Sequence, residues 1–231
     1  MYSCHDKSRS KPARHGEGRT KLFSYTIRAA LLVVLILFGA DSVNAQGPDI
    51  LGLRGLMPRL KKTYKLTSSD VESLTPLIRQ ENVEMLILYL RFSKDPPEYS
   101  DRVWMQIIEL RRRFDTNWAA GLTGRHRSAL VAASRVLERR MLMILVEDYV
   151  DFMAEQLELD DWQFDEVNKA FEWDRKQRQA AVNKHIANLP ALHREFAAIA
   201  AQTEWSLRRI MTPEQLKELR LMAEKGIPFT A

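Results

Sequence analysis

The chain has 231 residues, 35 Lys and Arg against 30 Asp and Glu, and one cysteine. Seven of those cations, three of those anions and Cys4 lie in residues 1–45, so the remaining 186 residues carry 28 against 27 and no cysteine. That near-neutral balance gives no support for nucleic-acid binding, and the missing cysteines exclude a disulfide framework.

Residues 1–28 are basic, and Ala29–Ala40 is an unbroken apolar run followed by Asp41-Ser42-Val43-Asn44-Ala45. A basic region, a short apolar run and a V-x-A exit predict a secretory signal peptide cleaved after Ala45. Twelve apolar residues fall short of the roughly 20 that span a bilayer. An uncleaved anchor is the alternative reading. The expected location is periplasmic, with membrane contact only in transit.

Residues 46–65 hold three glycines and two prolines without a sustained period, and read as a flexible leader, with partial docking as the open alternative. From Leu66 onward the pattern is helical. Val71, Ile78, Met85 and Phe92 recur every seven residues, joined by Leu74 and Leu88, with Pro76 as a possible kink. Trp104, Ile107, Ile108, Arg111, Phe114 and Trp118 mark a second stripe. Residues 125–157 read as one long helix, apolar all round at Met141–Val146 and therefore central. Leu192, Phe196, Ile199, Thr203, Leu207 and Ile210 mark a further stripe. No alternating strand pattern is present, so the predicted class is all-α.

Four segments share one pattern: Leu66-Thr67-Ser68-Ser69-Asp70, Leu122-Thr123-Gly124-Arg125-His126, Leu159-Asp160-Asp161-Trp162-Gln163 and Met211-Thr212-Pro213-Glu214-Gln215. Each reads as a helix start. Thr67, Thr123, Asp160 and Thr212 are the N-caps, and Gln163 and Gln215 reach back to close capping boxes. A hydrophobic staple is available to Leu66 with Val71, Leu159 with Phe164, and Met211 with Leu216, whereas Leu122 meets Arg127. The intervals between the first and second signatures are 56 and 52 residues, and each is interrupted by a proline, Pro96 or Pro190. The spacing predicts two helical hairpins related by internal duplication, repeat 1 over about 66–130 and repeat 2 over about 159–225, joined by the 125–157 helix.

These L-T-x-x-Q-like signatures in a helical, cysteine-poor chain with an expected export signal resemble the Spy/CpxP family of LTxxQ-motif periplasmic proteins. Met211–Gln215 is the closest match and Leu159–Gln163 the second, and the likeness is best over 157–225. The resemblance implies an ATP-independent chaperone, an accessory protein of an envelope-stress kinase, or a metal-responsive sensor. Family chaperones form a cradle from two antiparallel chains. Here the motif spacing is shorter, two of four motifs keep Gln, and two units are fused. A cradle within one chain and a homodimer are both open.

Met85, Phe92, Trp104, Met105, Trp118 and Trp173 on the apolar stripes, edged by Arg111, Arg112 and Arg175, are the candidate contacts for unfolded clients or partner proteins. Core packing is the competing reading for each methionine. The acids Glu147, Asp148 and Asp151 are expected on the exposed side of the long helix. His126, His185 and His193 lack the i, i+4 spacing of a helical metal pair, so neither metal nor cofactor is implied. No G-x-S-x-G, H-E-x-x-H, phosphate loop or cysteine nucleophile occurs, and no enzyme is expected. The leading expectation is a chaperone-like binder of unfolded or partner polypeptides. The alternatives are an envelope-stress or metal-sensing accessory protein and a purely structural envelope protein.

Overall fold

Leu66 and Leu159 show how the chain turns its corners. In each case the preceding helix closes with a backbone bond reaching five residues back, Leu66 N–H to Lys61 O (3.0 Å) and Leu159 N–H to Ala154 O (3.1 Å). This closure needs one left-handed residue, supplied by Lys65 (φ 50°) and Glu158 (φ 49°). The leucine follows, and the next residue already caps a new helix.

The computed structural model describes residues 51–224. Its helices are α1 (Leu53–Thr63), α2 (Ser68–Phe92), α3 (Asp101–Asn117), α4 (Gly124–Gln156), α5 (Asp161–His185), α6 (Leu189–Ile210) and α7 (Pro213–Glu224), with no strand among the described residues. The chain is all-α. The expected signal peptide lies outside the described residues. No helix among the described residues is long and apolar enough to cross a membrane.

Part of the leader is docked. Residues 53–63 form α1, which buries Leu56 and Leu60 and packs on α2 and α4. Arg140 on α4 anchors its entry by donating to the carbonyls of Leu51 (2.5 Å) and Gly52 (2.7 Å). Gly52 has φ 65°, and a Cβ there would meet the Arg140 guanidinium at 2.5 Å. Three glycines and two prolines hid a short helix whose stability comes from docking, not propensity.

α2 runs through Pro76 without a break and packs along α4, while α5 packs along α6 and the two pairs meet through α4 and α5. Pro96 was expected to fold α2 back on α3, yet α2 and α3 make little close contact. The inward side chains of α3 turn to other helices. Trp104 reaches Phe196 on α6 (ring centroids 5.9 Å), and Arg111 reaches Glu138 on α4. α4 buries Leu137, Met141, Leu142, Leu145, Val146 and Tyr149 along its length, in line with its expected central place.

Candidate functional site

The four helix starts are built as capping residues, and they meet in pairs. Thr67 Oγ1 accepts from the Asp70 amide (3.1 Å) while Asp70 accepts from the Thr67 amide (2.7 Å). Asp160 and Gln163 close the same reciprocal box (2.8 and 3.2 Å), as do Thr212 and Gln215 (2.9 and 3.3 Å). Thr123 sits at the N-cap but makes no side-chain cap bond. Gly124 directly after it has φ 53°, outside the right-handed region that the first helical residue ordinarily takes.

Beyond its own box, each Gln amide crosses to the other helix start. Gln163 Nε2 donates to Gln215 Oε1 (2.8 Å) and Gln215 Nε2 donates to Gln163 Oε1 (3.0 Å). Their remaining protons go to the Ile210 and Leu157 carbonyls, at 3.0 and 3.1 Å. Four polar groups per amide pair are thereby satisfied inside a part-buried joint. In the N-terminal half the same signature position carries Asp70 and His126, and these two meet at 2.7 Å, with Arg125 adding a 2.9 Å contact to Asp70. The Thr67 backbone amide and then His126 hold the Asp70 carboxyl low, at about 2.

Two polar networks lie deeper. Arg111 grips Glu138 with two bonds of 2.6 Å and donates to Asn183 (2.7 Å), joining α3, α4 and α5 while Arg111 and Glu138 are fully buried. On the other side, buried Asp174 accepts from Tyr99 (2.9 Å), Thr203 (2.9 Å) and Arg178 (2.8 Å). Burial raises the Asp174 carboxyl, against the pull of Arg178, Tyr99 and Thr203. Arg178 also pairs with Asp101 and lies 4.8 Å over the Phe196 ring. Arg111, Glu138, Asp174 and Arg178 are buried charges held by opposite charges, although Arg178 Nη2 has no hydrogen-bond partner.

The candidate client contacts are not assembled on one surface. Met85, Phe92, Trp104, Arg111 and Arg175 are enclosed, at 1% exposure or less, so in this fold no client touches them. Met85, Phe92 and Trp104 have gone to the core, Arg111 to a buried ion pair with Glu138, and Arg175 to a pair with the partly exposed Glu172. Met105 and Trp118 are half-buried, Trp118 edge-on to Phe114 at 5.8 Å. Arg112 is exposed but spends a donor on the Ile186 carbonyl (3.1 Å). Only Trp173 keeps a large exposed apolar face, 39%. Asp148 also departs from expectation: it is buried and accepts from Tyr89 (2.8 Å), whereas Glu147 is exposed.

Sequence reasoning missed Trp162 and Trp205, which are 59% and 53% exposed. The signal was present, since Trp205 stands opposite the Phe196–Thr203–Leu207 stripe of α6. That outward face also carries Arg194, Ala198, Ala201, Arg208 and Arg209, all exposed, and Arg209 stacks 4.6 Å over the Trp205 ring. Its carboxylates, Glu195 and Glu204, are less exposed and engaged with His185 (2.7 Å) and Arg208 (2.5 Å).

Among the described residues no three His, Cys, Asp or Glu side chains stand close enough together to hold a metal ion. Comparison of the chain with known proteins finds no matching family model, curated protein or solved structure.

Proposed function

We propose that this protein is a chaperone-like binder of unfolded or partner polypeptides, working as a tandem relative of the Spy/CpxP type. One observation carries the reading: three tryptophans, Trp162, Trp173 and Trp205, are held exposed on the α5–α6 pair, Trp205 beside the exposed Arg208 and Arg209. Large aromatic surface left in water gains free energy when a partner covers it. Tryptophan with stacked arginine is the composition of a contact anchor. This surface replaces the enclosed Met85–Phe92–Trp104 stripe as the contact region.

The two halves are read as copies of one unit. Supporting this, Asp70–His126 and Gln163–Gln215 join the two helix starts of their halves from the same signature positions. Lys65 and Glu158 precede the first signature of each half in the same left-handed turn. The copies have since diverged in packing, with α5 lying along α6 but α2 along α4.

The test is suppression of aggregation of a denatured reporter by residues 46–231. Suppression at stoichiometric amounts is expected, weakened several-fold by Trp173→Ser with Trp205→Ser. No suppression by the unaltered chain removes the reading.

A further inference from the structure

α2 buries a carboxyl where its pattern calls for an apolar residue. Glu81 falls between Ile78 and Met85 on the inward stripe and is 1% exposed. One of its oxygens accepts from the Ser134 hydroxyl of α4 (2.6 Å), and the other has no hydrogen-bond partner. A buried carboxylate needs two or three donors to stay ionised cheaply, and here there is one. The adjacent Asn82 Oδ1 is a second buried acceptor without a donor.

The charged groups around it do not repair the deficit. Glu84 on its own helix and Glu138 on α4 both oppose ionisation. Arg135 on α4 is the one cation favouring it, and that guanidinium is drawn to Glu138 at 3.3 Å. From α3, Arg111 is committed to Glu138 (2.6 Å) and Arg113 leans toward Glu84 (3.9 Å). α1, the other helix packed on α2, gives Glu81 no hydrogen bond or ion pair.

We propose that Glu81 is a proton-operated latch on the α2–α4 interface: the two helices are closed on each other while the carboxyl is protonated, and the contact loosens when it ionises. Burial is the main cause that pushes this carboxyl up to about 7, with Glu138 and Glu84 adding to it and Ser134 and Arg135 opposing. Its ionisation therefore falls in the neutral range, where an exposed glutamate would long since have ionised. Loosening would uncover Met85 and Phe92 on α2. The latch stands apart from the polypeptide-binding reading, because it requires only this interface.

The experiment is amide hydrogen exchange on the full chain across pH, corrected for the intrinsic rate. Opening of α2 should become about thirtyfold more frequent between about pH 5.5 and about pH 8, with α5 and α6 unchanged. Glu81→Gln should make α2 flat across that range. A flat wild-type profile overturns the latch, and so does a change shared equally by all helices. Should Glu81→Gln fail to fold, carboxyl-carbon NMR of the wild type decides: a Glu81 midpoint in the ordinary glutamate range also overturns it.

Discussion

Lys65 and Glu158 each hold a left-handed backbone without glycine's freedom, and both side chains are exposed. An L-residue there costs about 1–2 kcal/mol, partly offset in a glycine variant by greater unfolded-chain entropy. Lys65→Gly and Glu158→Gly should each stabilise the protein by about 0.5–1 kcal/mol, read as a higher urea midpoint at unchanged slope. The buried Arg111–Glu138 pair behaves oppositely. Arg111→Met leaves Glu138 buried with too few donors and should cost about 3–5 kcal/mol, whereas Arg111→Met with Glu138→Leu should recover most of that loss. Both arginine and stripe were visible in the sequence, since Arg111 lies in register with Ile107, Ile108 and Phe114. Its partner 27 residues away was not, because no local period relates α3 to α4.

At the scale of the helix, the caps predicted from four short signatures hold three times out of four, and the failure at Thr123 coincides with a positive-φ glycine. Capping is a local competition between a side chain and the next turn's amides, so a five-residue window contains the causes. The joining of caps across 52 and 56 residues is not local and went unread. Gln163→Ala and Gln215→Ala should each cost about 1–2 kcal/mol. The double variant should cost less than the sum by about 0.5 kcal/mol or more, since both remove one shared contact. Rebuilding the N-terminal joint as Asp70→Gln with His126→Gln should keep stability within about 1 kcal/mol of the parent, if the two joints are equivalent. A larger loss by thermal or urea unfolding would count against the two halves being copies.

For the molecule as a whole, Asp70 and Glu81 set opposite limits on the pH range of stability. Asp70 is held low in the fold, so its contribution is present above the ordinary carboxylate range and is lost as pH falls toward about 2. Glu81 is held high, so the folded state binds more protons than the unfolded chain between about 4.5 and about 7. Stability should fall as pH rises through that window, by up to about 3 kcal/mol, and then level off. Urea midpoints measured across pH should show this decline in the parent and its absence in Glu81→Gln.

The sequence by itself determined the helical class, four of the seven helix starts among the described residues and the inward stripes, because each depends on residues within a turn or two of one another. Only the tertiary structure decided which stripes close on which, and that enclosed Met85, Trp104 and Arg175 while leaving Trp162 and Trp205 in water. Amphipathic period tells a helix which face to bury, but the partner that covers it, and any polar group sealed beneath, follow from side-chain bulk and distant charge.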